Sequence, residues 1–254
     1  VSGRDGDIVT LDIGTYHVKV VIAAPAETPD LPMRILGTGT AGSKGMRQGY
    51  IVDVKEAAHS IREALERASA AAHTKVESAH VGIGGVGLDE IRASGDVSLT
   101  PSGGIVTARD MEHASKEAEK RSSAKLANRT VLHAIPMQYR LDGAQIFGSP
   151  EGLHGAKLSV DVLLITMLGK HHDDLLAAVE AAGVEIEGVM ASPLAASFVA
   201  LTKAQKTAGV VLANIGAETL SIIIYDNDTP LSLKVFPIGG NVITEAIALP
   251  FQIP

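Results

Sequence analysis

The chain has 254 residues, of which 46% are hydrophobic and 3% aromatic, and it contains no Cys. That apolar content can bury a sizeable core, while the lack of Cys excludes disulfides and thiolate sites and fits a reducing compartment, so the cytoplasm is the default location. Lys and Arg number 22 against 29 Asp and Glu, giving a net charge of −7. Because no basic stripe stands out, we expect no nucleic-acid partner. No apolar run approaches the roughly 20 residues of a membrane-spanning helix.

Two glycine turns in different parts of the chain share one pattern. Residues 8–22 read as strand, tight turn and strand, with β-branched residues on both arms, and residues 210–224 repeat that order. When the two segments are superposed, Asp12 falls on Asn214, and the glycines two positions later coincide as well. The repetition favours two related hairpins, with a chance similarity of short apolar hairpins as the alternative.

Two helices have clear start signals. Asp53 with Glu56 predicts a capping box, and the apolar residues that follow to Ala68 have helical spacing on one face. Thr107 with Asp110 predicts a second start, for a helix whose other face is almost entirely charged. The first helix should pack on a core, and the second should lie on the surface.

A third helix and the strand after it indicate an α/β domain. The helix is predicted from about Asp173 to a C-terminal stop at Gly183, and residues 184–190 follow as an apolar strand. Helix, short glycine link and strand are typical of crossovers that bury a mixed or parallel sheet between helices. Further along, residues 226–228 before Pro230 predict a hairpin turn.

Residues 80–161 interrupt this alternation and look inserted. They combine a charged helix with a loop at 142–155 that is marked by glycine and proline. The clearest strand candidates are residues 131–135 and 158–164, and the second of these is expected to continue into the main sheet.

The first glycine turn has residues that suit a phosphate. A turn with Gly14 lets backbone amides approach an anion, and the Thr15 hydroxyl and Lys19 ammonium could add donors. Asp12 is acceptor-only when ionised and would more naturally hold a hydrated magnesium ion brought by a nucleotide. His17 could also donate, although a solvent-facing role suits it equally. The alternative is an ordinary hairpin in which Asp12 and Thr15 satisfy the turn.

The two turns together carry a family resemblance. Residues 12–15 resemble the first phosphate motif of the superfamily of actin, Hsp70 and sugar kinases, and residues 214–219 lie where its second phosphate motif belongs. Four further blocks are similar to FtsA sequences, in the FtsA order: residues 45–53, 131–139, 152–158 and 191–197. The resemblance to the FtsA family covers residues 8–248, and blocks in a common order are more specific than a single glycine motif.

The resemblance implies an α/β fold: an actin-like (ribonuclease H-like) ATPase lobe with an inserted α+β FtsA-type subdomain, and the start of a second actin-like lobe. It places residues 1–79 and 162–206 in the first lobe (1A), residues 80–161 in the inserted subdomain (1C), and residues 207–254 in the second lobe (2A), which would be truncated.

The resemblance also implies ATP and Mg2+ as cofactors, with Mg2+ held by Asp12 through water. The nucleotide-binding residues would come from both turns and from a later glycine pair: Asp12, Gly14, Thr15, Lys19, Asn214, Gly216, Thr219, Gly239 and Gly240. The second motif departs from the family, since Asn214 replaces an Asp, and Ala217 and Glu218 replace glycines. Without that Asp, and with an extra carboxylate near the phosphates, we expect at most weak ATPase activity, and catalytic residues stay unknown.

In the family these features belong to a division scaffold. The resemblance implies self-association into filaments, contacts of the 80–161 subdomain with later division proteins, and recruitment of FtsZ to the cytoplasmic face of the inner membrane at the division site. The FtsZ site and the membrane helix would lie beyond Pro254. One alternative is a scaffold like PilM of type IV pilus assembly. Another is a small-molecule kinase on the same fold, for which no general-base carboxylate is identified.

Overall fold

The structure is a computed structural model that describes residues 6–26, 28, 31–99 and 104–251. The strands, in chain order, are β1 Ile8–Ile13, β2 His17–Ala24, β3 Arg34–Gly42, β4 Met46–Arg47, β5 Tyr50–Ile51, β6 Ser78–Ile83, β7 Leu88–Ser98, β8 Gly104–Ile105, β9 Arg129–Leu141, β10 Ala144–Ile146, β11 His154–Gly155, β12 Lys157–Leu168, β13 Glu185–Ala191, β14 Val210–Ile215, β15 Leu220–Asp226 and β16 Thr229–Phe236. The helices are α1 Val54–Ala72, α2 Ala108–Arg121, α3 Gly169–Ala181, α4 Ser192–Ala200, α5 Lys203–Ala208 and α6 Gly240–Phe251.

The first sheet has five strands in the order β13-β6-β1-β2-β3. β1 pairs antiparallel with β2 and parallel with β6, and β13 runs parallel to β6. Alternate residues of β1 and β2 are buried, because successive side chains of a strand point to opposite faces. The hairpin predicted over residues 8–22 is confirmed, and it lies in the middle of this sheet.

Helix α1 covers the first sheet. Its apolar face is buried, including Ile61 with no exposed surface, and burial of such a side chain contributes about 1.5–3 kcal/mol. The helix crosses β3 so closely that a Cβ on Gly39 would lie 1.9 Å from the Ala64 carbonyl oxygen. The Asp53 side chain caps the helix as predicted, accepting hydrogen bonds from the backbone N–H groups of Lys55 and Glu56. The Glu56 half of the predicted box is wrong, because the Asp53 N–H donates to the Gly45 carbonyl oxygen.

The second sheet, β10-β9-β12-β7, packs beneath α2 and has its own hydrophobic cluster. Thr107 and Asp110 form the predicted capping box of α2. The helix buries Ala114 and Ala118 and turns its charged face outward, as expected for a surface helix. The close packing of α2 on β7 excludes any side chain at Gly95, where a Cβ would lie 2.1 Å from the Ala114 carbonyl oxygen.

A third sheet, β14-β15-β16, forms from the second predicted hairpin and the strand after it. Asn227 and Asp228 have φ of 50° and 61° and make the predicted turn between β15 and β16. Ile223 and Leu233 are buried in the same hydrophobic cluster as the first sheet. The second hairpin is thereby packed against the core that carries the first hairpin.

Two elements differ from the sequence predictions. Helix α3 begins at Gly169 and not at Asp173; no side chain caps its first turn, so the sequence offers no start signal there. The expectation that β12 continues into the main sheet is wrong, since β12 pairs along its length with β7 and β9. β6 likewise belongs wholly to the first sheet. The predicted domain boundaries at residues 80 and 161 therefore fall inside strands.

In the described part of the chain, no helix combines the length and the hydropathy needed to cross a membrane.

Candidate functional site

A cavity of about 670 Å³ lies between the β1–β2 turn and the β14–β15 turn. Its size falls in the range of small-molecule sites, about 300–1,000 Å³. Eight of the nine residues predicted to bind a nucleotide line it: Asp12, Gly14, Thr15, Lys19, Asn214, Gly216, Thr219 and Gly240. Residues that are far apart in the sequence thus converge on one space.

The two turns are built alike. The Gly14 N–H donates to the His17 carbonyl oxygen at 3.1 Å, and the Gly216 N–H donates to the Thr219 carbonyl oxygen at 2.8 Å. The Gly14 and Gly216 amides therefore already have hydrogen-bond partners inside their own turns. Tip residues such as Thr15 also line the cavity, and amides at the tip are the ones a bound anion would approach.

The strands that flank the turns are also equivalent. Asp12 stands opposite Lys19 in the first hairpin, as Asn214 stands opposite Ser221 in the second. All four residues line the cavity. The internal similarity read from the sequence therefore exists in three dimensions, as two hairpins that face the same space.

Lys19 and Asp12 form an ion pair at the cavity wall, with 3.6 Å between Nζ and Oδ2. Their side chains are 58% and 51% exposed, so the pair is solvated and contributes little to stability. A solvated pair can exchange partners: the ammonium can donate to an anion, and the carboxylate can accept from water bound to a cation. In the described residues no three His, Cys, Asp or Glu side chains cluster as a metal site would require.

Gly239, the ninth predicted residue, does not line the cavity. A Cβ at Gly239 would lie 2.4 Å from the Ala217 carbonyl oxygen and 2.6 Å from that of Gly216. Beside it, the first amides of α6 hold the same turn, because Gly240 N–H donates to the Gly216 carbonyl oxygen at 2.8 Å. Gly239 supports the second turn from behind, and only Gly240 faces the cavity.

Glu218, which the sequence is expected to bring near the phosphates, is not among the residues that line the cavity. Its Oε2 accepts a hydrogen bond from the Gln48 backbone N–H at 2.5 Å. The carboxylate is directed to the turn between β4 and β5, so the predicted repulsion of a ligand in the cavity is reduced.

Four residues that the sequence did not predict line the cavity on the side opposite the second turn, and together they are called the opposite wall: Gly49, Gly84, Gly85 and Ser192. Gly49 and Gly85 have φ of +80° and +97°, and a Cβ on Gly49 would lie 2.2 Å from the Gly85 Cα. The glycine pair after β6 was the available signal, since adjacent glycines after an apolar strand mark a tight backbone approach. Ser192 begins α4 before a proline, which is a helix start signal.

His133 joins the second sheet to the first. Its Nε2 accepts from the Ala191 backbone N–H at 3.0 Å, just before α4. Burial lowers the pKa of His133 below its usual value of 6.5, because the charged form loses hydration. The neutral imidazole therefore helps to fix the start of α4, which carries Ser192 of the cavity wall.

Comparison with known proteins shows which proteins this chain resembles in sequence and in fold. Residues 86–166 match the SHS2 domain inserted in FtsA. The cell division protein FtsA of Bacillus subtilis (strain 168) is 32% identical over 241 residues, which are 95% of this chain and 54% of that protein. FtsA of Escherichia coli (strain K12) is 30% identical, over 97% of this chain and 57% of that protein. The chain spans about half the length of these curated relatives.

Among solved structures, the PilM–PilN type IV pilus biogenesis complex contains a chain that superposes with a TM-score of 0.69 at 18% identity, over 97% of this chain and 66% of that one. The ethanolamine utilization protein EutJ from Carboxydothermus hydrogenoformans gives a TM-score of 0.53 at 13% identity, over 99% of this chain and 59% of that one. The predicted fold class, an actin-like lobe with an FtsA-type insertion, is confirmed, and so is the resemblance to FtsA.

Proposed function

We propose that this chain, which is similar in sequence to FtsA over nearly its whole length, is part of a cell-division scaffold that binds ATP with Mg2+ in the cavity between its two hairpins. The observation that carries the proposal is the convergence of two equivalent glycine turns on one space of about 670 Å³. A pseudo-symmetric pair of turns can hold a chain of phosphates from both sides.

The residues present fit such a ligand. Lys19 would donate to a phosphate from the first hairpin, and the Thr219 hydroxyl and the tip amides would donate from the second. Bound Mg2+ would neutralise phosphate charge, and Asp12 would hold the waters of that ion. Asn214, which occupies the position equivalent to Asp12, brings no second negative charge, so we expect slow hydrolysis or none.

The scaffold role extends beyond this cavity. We propose that the second sheet and α2, within the region that matches the FtsA insertion, contact neighbouring copies in a filament and later division proteins. The full-length protein would tether FtsZ to the cytoplasmic face of the membrane. Support comes from the similarity in sequence to FtsA over nearly the whole chain.

A pilus scaffold like PilM is the second candidate. The superposition on the PilM–PilN complex favours it, with a TM-score of 0.69. Its identity of 18% is well below the 32% shared with FtsA. Structural similarity at that identity reports the fold, which both scaffolds can share, and so the division role is preferred.

Nucleotide binding is tested by titrating the full-length protein into a fluorescent ATP analogue, with and without Mg2+. We expect saturable, Mg2+-dependent binding, weakened about tenfold by Lys19→Ala through loss of a charge-assisted contact. Lys55→Ala is the matched control, because Lys55 is exposed on α1, outside the cavity. Absence of binding, or equal affinities for the two variants, would contradict the proposed site.

The division role is tested by fluorescence anisotropy of a labelled FtsZ C-terminal tail peptide, titrated with full-length protein and Mg-ATP. Saturable binding would support the division scaffold. If a folded, nucleotide-binding protein fails to bind the peptide but binds PilN, the pilus candidate replaces it.

A further inference from the structure

One hydrogen bond joins two walls of the cavity. Glu218, at the tip of the second turn, accepts from the backbone N–H of Gln48, and 170 positions separate the two residues. Their neighbours Ala217 and Gly49 line the cavity on the two sides. We call this contact the Glu218–Gln48 bridge.

The Gln48 side of the bridge is rigidly held. The Gln48 carbonyl oxygen accepts from the Val86 N–H at 3.2 Å. This hydrogen bond attaches the Gln48 backbone to the segment just before β7 of the second sheet. Gln48 has φ of 51°, a left-handed conformation that is unfavourable for a non-glycine residue. Directly after it, Gly49 contacts Gly85 backbone to backbone. The turn therefore offers its N–H from a fixed position.

The Glu218 side belongs to the turn that would hold phosphates. Gly216 and Thr219, on either side of the tip, close that turn with a hydrogen bond at 2.8 Å. A shift of the second turn away from the first wall would stretch the Glu218–Gln48 bridge. Because an ionised acceptor strengthens a hydrogen bond to an amide, the bridge opposes that shift.

We propose that Glu218 is a positioning residue: its bridge to Gln48 fixes the second turn against the opposite wall and slows the release of a phosphate-bearing ligand. The bridge itself follows from the geometry, whereas its effect on a ligand rests on the proposed function. The same contact keeps the Glu218 carboxylate out of the cavity lining. A glycine at this position would provide no acceptor for Gln48.

The test compares Glu218→Ala with Glu218→Gln in the full-length protein. Both variants remove the negative charge, but only Gln keeps an acceptor oxygen, so their difference reports the hydrogen bond. The first readout is hydrogen exchange of the Gln48 amide without nucleotide, measured by NMR. We expect exchange about tenfold faster in Glu218→Ala than in Glu218→Gln, consistent with the loss of a neutral hydrogen bond. Glu66→Ala, an exposed carboxylate on α1, is the control for charge removal.

The second readout is dissociation of a fluorescent ATP analogue with Mg2+, chased by unlabelled ATP in a stopped-flow instrument. Release from Glu218→Ala should be about tenfold faster than from Glu218→Gln. Equal release rates, or equal exchange of the Gln48 amide, would overturn the proposal. If the analogue binds to no variant, the nucleotide proposal fails, and the exchange measurement still decides whether the bridge positions the turn.

Discussion

Replacement of Gly239 by Ala tests how the second turn is supported. The added Cβ would lie 2.4 Å from the Ala217 carbonyl oxygen, about 0.6 Å inside the closest contact that real Cβ atoms make. The Gly216 carbonyl oxygen lies at 2.6 Å from the same position. Both are backbone atoms and cannot rotate away, so the turn itself must move. Such overpacking costs about 1–3 kcal/mol.

A glycine outside the cavity provides the control. Gly42 of β3 does not line the cavity, and a Cβ added there would meet no atom within 4 Å. If the strain falls on the turn, Gly239→Ala should weaken nucleotide binding about 5- to 140-fold, since about 1.4 kcal/mol corresponds to a factor of ten. Gly42→Ala should change the affinity by less than about threefold.

The assay is equilibrium titration of a fluorescent ATP analogue, with urea unfolding measured on the same preparations. The unfolding data separate a local shift of the turn from a loss of the whole fold. Equal affinities for Gly239→Ala and the wild-type protein would refute the steric argument. Equal weakening by both alanines would refute the assignment of the effect to the backbone contacts of Gly239.

Three further predictions concern stability, measured by urea unfolding. Gly39→Ala should destabilise by about 3 kcal/mol, because its Cβ would meet the α1 backbone at 1.9 Å, while Gly42→Ala on the same strand has open space and should cost less than about 0.5 kcal/mol. Because burial lowers the pKa of His133, its contribution to the free energy of unfolding is present above pH 6.5 and should be lost as the pH falls through the folded-state pKa. His133→Gln should remove this pH dependence of stability, and an unchanged pH profile in the variant would contradict the argument. Tyr225→Phe should cost about 1 kcal/mol through loss of the buried 2.7 Å bond with Ser197, and no loss would exclude that bond.

Much of the site could be read from the sequence because phosphate turns are local structures. A glycine between two β-branched arms predicts a hairpin, which places Thr15 at its tip and Asp12 in the strand just before the turn. Eight predicted residues accordingly line one cavity. The contacts of Gly239 and Glu218 could not be predicted, because they depend on which distant residues lie beside them. No local sequence motif identifies the Ala217 carbonyl oxygen as the neighbour of Gly239, or the Gln48 amide as the partner of Glu218.

The sequence by itself determined the elements whose energetics are local: both hairpins, the Asp53 and Thr107 helix caps, and the turn at residues 227–228. In each case the decisive contacts join residues only a few positions apart. Only the tertiary structure decided which sheet β12 joins, where the second turn lies relative to the first, and which wall Glu218 reaches. Those outcomes depend on burial and pairing between distant segments, and a periodic apolar pattern predicts that a strand is buried without specifying its partner.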